Sequence, residues 1–315
     1  MISFRYHLVS IVAVFLALGL GILTGTTVLN QHLVKNLKNR TKAAEQDVAR
    51  YRQQVLDVQG QVSELQTFIQ DARPFLIDGK LQGEQVVLLT QDGSDPAAVA
   101  EAKSALLDAG ARVTSLDLTG RMALADPASQ RDLAALLGLP ADTSPQTLQA
   151  TAARSLGDRL AGGPPATDLP QPNAPHDLLE GLLSKGFLKA SSLTPAQVPQ
   201  IGGPDQTFVV VGGGNSNPAV PLQSFLVPLV AQLGQHTGVP VAAGESTATT
   251  TFPFVSLLRG DSQLDSDPMV TVDDLDPDHA GGVALVLGLR NLLLTGQGGN
   301  YGLKDGNDGI LPKAA

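Results

Sequence analysis

From Leu8 to Leu29 the chain carries no charged side chain, and a stretch of that length and character has few ways to fold. An α-helix needs about 20 residues to cross about 30 Å of hydrocarbon, and a helix satisfies its own backbone groups there. The run LVSIVAVFLALGLGILTGTTVL is therefore expected to be a transmembrane helix, residues 8–29, behind a short amino-terminal tail, residues 1–7. A cleaved signal sequence starting at Arg5 is the rival reading. The run exceeds the about 7 to 15 residues of a signal core, and no small-x-small cleavage site follows it. Gly21 and Gly25 have the small-xxx-small spacing of a helix-pairing face.

Residues 30–73 read as one continuous helix with a heptad seam. The a positions are Val34, Thr41, Val48, Val55, Val62 and Ile69, and the d positions are Leu37, Ala44, Tyr51, Val58 and Leu65. β-Branched residues at a favour two parallel strands. In a parallel pair the g position faces the partner's next e position, which sets Arg40 against Glu45 and Asp47 against Arg52, both of opposite sign. The segment is expected to be a coiled-coil stalk joining two copies of the chain. The alternative is a stripe packed on the chain's own domain, because any amphipathic helix has one. Pro74 is expected to end the stalk.

The remaining chain is long enough for one large core or two small ones. The sequence has no cysteine, which excludes disulfides, thiolate metal sites and cysteine nucleophiles. A net charge of -9 and a pI near 4.9 argue against nucleic acid as a partner. Basic residues gather at Lys35, Lys38, Arg40 and Lys42, within reach of anionic lipid head groups.

Beyond Gly79, strands and helices alternate. The short apolar runs at 85–90, 112–118, 208–211 and 239–243 read as strands. Helical patterns lie at 96–109, 127–137, 145–160, 176–183, 221–233 and 282–294. A strand, helix, strand unit of this spacing predicts a parallel sheet. The expected fold is thus α/β: a single transmembrane helix, a coiled-coil stalk and a parallel-sheet α/β domain over 80–296, with a carboxyl-terminal tail at 297–315. A proline-rich loop, GGPPATDLPQPNAP, interrupts the domain.

Three places offer chemistry. Gly212, Gly213 and Gly214 follow a strand directly, where free N–H groups can cradle an anion, but GxGxxG and GxxxxGK[ST] are absent and a plain flexible turn explains them better. The stretch Asp261–Asp278 is rich in aspartate, and Asp265 with Asp267, or Asp273, Asp274, Asp276 and Asp278 with His279, offer ligands to a divalent cation. No calcium-loop spacing is present, and turn formation and capping of the Gly282 helix account for several of these acids. Asp273, Asp274, Asp276 and His279 are the candidate metal ligands. The five histidines, His7, His32, His176, His236 and His279, are scattered, and no G-x-S-x-G or H-E-x-x-H occurs. No catalytic residue is assigned and the chain is not expected to be an enzyme. A pocket joining Gly212–Gly214 to the Asp273 cluster would reopen that question.

The opening MISFRYHLVSIVAVFLALGLGILTG and the late TVDDLDPDHAGGVALVLGL followed by GNYG resemble the actinobacterial copper transport protein family, the MctB-like proteins. The resemblance extends over nearly the full length in the order of parts. It implies an envelope protein involved in copper efflux or homeostasis, with the domain outside the membrane, and it carries an outer-membrane pore label. One apolar helix encloses no pore, and the strand pattern of a membrane barrel is missing. The only methionines are Met1, Met122 and Met269, a poor set for Cu(I), and family members tend to have Gly-His-Tyr-Gly where this chain has Gly299-Asn300-Tyr301-Gly302. The basic residues after the apolar run would by themselves place the stalk in the cytoplasm. The resemblance favours the opposite orientation, which is adopted here, with copper as the possible metal. A non-enzymatic scaffold that recruits cell-wall or division partners is the competing reading.

Overall fold

A computed structural model describes residues 4–163, 177–191, 195–215, 219–262, 264 and 268–313. Its contacts divide the chain into Met1–Leu65 and Gln66–Ala315. The first helix, α1, runs from Phe4 to Ile77. Within it Arg5–Gly25 has a mean hydropathy of 2.5 and is the one described helix long and apolar enough to cross a membrane. Pro74 does not stop α1 but lies inside its last turn. The helix ends three residues later, and the Pro74 carbonyl still accepts from the Asp78 N–H at 3.0 Å. A proline this near the carboxyl end withholds its own N–H but leaves that closing bond intact.

The second unit is a seven-stranded sheet in the order β3-β2-β1-β4-β5-β6-β7. The elements follow as β1 (Gln85–Gln91), α2 (Pro96–Asp108), β2 (Arg112–Leu118), α3 (Pro127–Leu137), α4 (Pro145–Gly162), α5 (Leu178–Ser184) and β3 (Leu188–Ser191). Then come β4 (Gln206–Val211), α6 (Val227–Gln235), β5 (Val241–Gly244), α7 (Phe254–Arg259), β6 (Met269–Val272), α8 (Gly281–Thr295) and β7 (Gly299–Tyr301). Aspartates or a serine with a proline behind them start the early helices: Asp95, Asp126 and Ser144 each accept a backbone N–H of the first turn.

Burial on both faces explains the unbroken apolar runs of the central strands. Val87, Leu89, Phe208 and Val210 point to one face, under α3 to α6, and join a core with Leu133, Leu156 and Leu229. Val86, Leu88, Val209 and Val211 point to the other, under α2 and α8, and join a core with Ala102, Val286 and Ile77. The last residue of α1 is thus part of the second core, and Arg73 lies against α2, its Nη1 2.7 Å from Glu101.

The sheet is not all parallel. β3 pairs with β2 in the antiparallel sense at one edge, with Leu116 opposite Ala190. At the other edge Gly299–Tyr301 adds β7 beside β6, so residues 297–313 are not a tail apart from the domain. The proline-rich stretch at 164–176 lies outside the described residues.

Candidate metal centre

In doubly wound sheets ligands gather beyond the carboxyl ends of the strands, where the strand order reverses. Here the reversal falls between β1 and β4. Gly212–Gly214 sit at that place, but their N–H groups do not form an open anion cradle. The Gly212 N–H donates to the Gly244 carbonyl at 3.0 Å and the Gly214 N–H to the Phe252 carbonyl at 3.3 Å. The Gly213 N–H donates to the side-chain oxygen of Gln91 at 3.0 Å, in the amide orientation that also lets Gln91 donate to the Val220 carbonyl. Gly213 has φ +79, and a Cβ there would press on Glu245 and the Phe252 carbonyl.

The acids sort themselves by partner. Asp273, at the end of β6, is fully buried, accepts from Arg259 at 2.5 Å and takes the N–H groups of Leu303 and Lys304 at 2.7 and 3.1 Å. Glu245, at the end of β5, is equally buried, accepts from the Phe254 N–H at 2.6 Å and pairs with Lys304 Nζ at 2.9 Å. Lys304 Nζ also donates to the carbonyls of Ser246 and Thr249. Glycine is required at Gly302, whose φ is +126 and whose Cβ would collide with the Asp273 carboxylate. Burial raises the Glu245 carboxyl above its ordinary value, against the pull of Lys304. The approach between the glycine turn and Asp273 therefore exists, through Glu245 and Lys304, but its charged groups are consumed by one another.

A second group lies one step along the same loop. Asp274, Asp276 and His279 each offer a ligand atom within 4.8 Å of the others. Asp274 is buried and lies 2.5 Å from His279 Nδ1, while Asp276 accepts from the Ser246 hydroxyl at 2.7 Å and from the Thr247 N–H at 2.9 Å. The Thr247 hydroxyl bonds to both carboxylates. Burial pushes the Asp274 carboxyl up, only partly offset by His279 and Thr247. Burial also acts on Asp276, but the Thr247 and Ser246 hydrogen bonds and His279 outweigh it and hold that carboxyl below its ordinary value. Two carboxylates and an imidazole are donors for a divalent ion of the Cu(II) or Zn(II) kind rather than for Cu(I).

Of the four candidate ligands, three come together and Asp273 turns away to Arg259. The expectation that these aspartates cap the last long helix fails: α8 has Ala280 at its N-cap, with no side-chain cap bond. Asp278 instead accepts from Gln70 at 3.1 Å. His236 pairs with Asp158 at 2.8 Å, far in sequence from the loop, and His7 is exposed on α1. His176, Asp265 and Asp267 lie outside the described residues, as does the side chain of His32. Sequence reasoning missed Glu245, Ser246, Thr247, Arg259 and Lys304. The hydroxyl-rich GESTATT after a buried strand was the available signal for three of these.

The fold and this loop define a class: a mixed α/β domain with an acid and imidazole cluster beyond its strands, preceded by a long helix whose first part is apolar enough for a membrane. The family described as copper transport outer membrane protein, MctB, matches residues 1–312, and the chain belongs to it. The chain is similar to the copper transporter MctB of Mycobacterium tuberculosis (strain ATCC 25618 / H37Rv), 26% identical over 313 residues, 97% of this chain and 98% of that one. It is likewise similar to copper transporter MctB of Mycobacterium leprae (strain TN), 25% identical over 319 residues, 98% and 99% of the two chains.

Proposed function

We propose that this is a single-pass, copper-handling protein of the cell envelope, with its α/β domain on the extracytoplasmic side, acting in efflux or homeostasis and not as an enzyme. The observation that carries the copper role is the meeting of Asp274, Asp276 and His279 in a chain of this family. Copper enters as cargo. Carboxylate and imidazole ligands must be deprotonated to bind Cu(II), so binding competes with protons and weakens as pH falls. The Ser246 and Thr247 hydroxyls position the carboxylates. Family membership and the apolar Arg5–Gly25 segment support anchoring in a membrane.

The stalk is read as a parallel dimer. Val34, Leu37, Val48, Tyr51, Val55, Val58, Val62 and Leu65 are all exposed along one chain, which supports a second copy as their cover. Within a single helix Asp47 pairs with Arg50 at 2.8 Å, so pairing with a partner's Arg52 would require an exchange of partners.

Titration of the full chain with Cu(II) by calorimetry, with a competing chelator, tests the copper role. Saturable binding tighter than about micromolar, some 8 kcal/mol, that is lost in His279→Ala and Asp274→Asn supports it. Absence of binding would leave the scaffold reading, favoured by the exposed stripe, in which the copper link is indirect. A deletion strain with altered cell shape and no copper sensitivity would point the same way.

A further inference from the structure

The geometry points to one seam that runs without a phase break from the stalk through the apolar segment, so that two copies pair inside the membrane through Leu16, Gly19, Leu20 and Leu23. This rests on the stalk dimer proposed above and extends it. Counting the heptad backward from Val34 and Leu37 passes the polar Thr27 at a and Asn30 at d, and then puts Leu20 and Ala13 at a, and Leu23, Leu16 and Val9 at d. α1 is one helix from Phe4 to Ile77, and a left-handed supercoil continued along it from the stalk would keep the 3.5-residue repeat on one face.

The surface of the apolar segment agrees independently. Its groove is lined by Val12, Phe15, Leu16, Gly19, Leu20 and Leu23. Leu16, Gly19, Leu20 and Leu23 occupy positions d, g, a and d, the four that surround an a-position knob from a parallel partner. The knob is Leu20 of the second copy. A Cβ at Gly19 would meet nothing within 4 Å, so the groove floor is open to a partner's side chain. Leu16, Leu20 and Leu23 are 60%, 61% and 69% exposed, so no described side chain of α1 fills it. Left-handed crossings of this kind are the common form of membrane helix pairing.

The glycine face is the competitor, and the phase decides against it. Gly21 and Gly25 fall at b and f, about half a turn from the seam. Pairing through them while the stalk pairs through Val34 and Leu37 would require twisting or breaking α1 between the two.

The absence of cysteine makes the test clean. Single cysteines at Leu16, Leu20, Leu23, Gly21, Gly25, Val48 and Val55 are placed in the full chain in membranes, oxidised with iodine and read as dimer on a non-reducing gel. A disulfide needs Cα atoms within about 7 Å. Leu20→Cys and Leu23→Cys, with Leu16→Cys, are expected to cross-link as strongly as Val48→Cys and Val55→Cys, and several-fold more than Gly21→Cys and Gly25→Cys. Cross-linking at Val48 and Val55 with silence or a glycine preference in the apolar segment would overturn the continuous seam and leave the stalk dimer standing. Silence at every position would overturn both.

Discussion

Valine and leucine do opposite things in the two units. In the sheet, Val86, Val209 and Val241 are almost wholly shielded by helices of the same chain, whereas Val34, Val48 and Val55 on α1 stand in solvent. The side chains are the same and the difference is what surrounds them. Alternate residues of a buried strand each find a layer of helices within their own unit. A helical stripe faces one direction only, and on α1 it finds no such layer within its own unit. The domain's valines are covered within their own unit, and the exposed stripe on α1 is what the proposed pairing of two copies would cover.

The largest test of that contrast is Val48→Asp with Val55→Asp, which places charges at two adjacent a layers. The full chain in detergent should fall from dimer to monomer by light scattering, with the urea unfolding of the domain unchanged. A dimer that survives breaks the comparison. Next in size is Lys304→Ala. It strands Glu245, a fully buried carboxylate, and removing one partner of such a pair destabilises by about 3 kcal/mol. Urea unfolding should show the loss and light scattering no change in mass.

Asp274→Asn is smaller and informative in sign. The folded-state value of Asp274 lies above its ordinary value of 3.8, so the native state holds this proton more tightly than the unfolded chain. That contribution is fully present below the ordinary carboxylate range and is lost as pH rises through the raised value. The neutral isostere should therefore remove that part of the pH dependence, leaving stability near neutral pH equal to or above the parent, while Cu(II) binding weakens. A loss of stability near neutral pH would show that the charged form is structurally needed. Smallest is Arg50→Ala, which removes an exposed pair with Asp47 and should change helix stability by less than about 0.5 kcal/mol by circular dichroism.

The sequence predicts the central strands well because burial on both faces leaves short, unbroken apolar runs, and β2 spans Arg112–Leu118 as read. It misses β3, β6 and β7, which have four, four and three residues and too little pattern to count. The start of α6 also differs: Leu222–Leu226 is wound as a π-helix before Val227 begins the α-helix. The candidate loop was legible as a cluster of acids but not as two groups. What separates Asp273 from Asp274 is Arg259 on one side and His279 on the other, and Arg259 reaches Asp273 only through the fold. The caps expected from the aspartates fail for the same reason, since their hydrogen bonds go to Ser246, Thr247 and Gln70 instead.

The Lys304 ammonium pairs with Glu245 at the end of β5, and the N–H groups of Leu303 and Lys304 donate to Asp273 at the end of β6. Without residues 303 and 304, Glu245 would lose its ammonium partner and Asp273 two of its donors, so the carboxyl edge of the sheet is closed by a segment beyond its last strand.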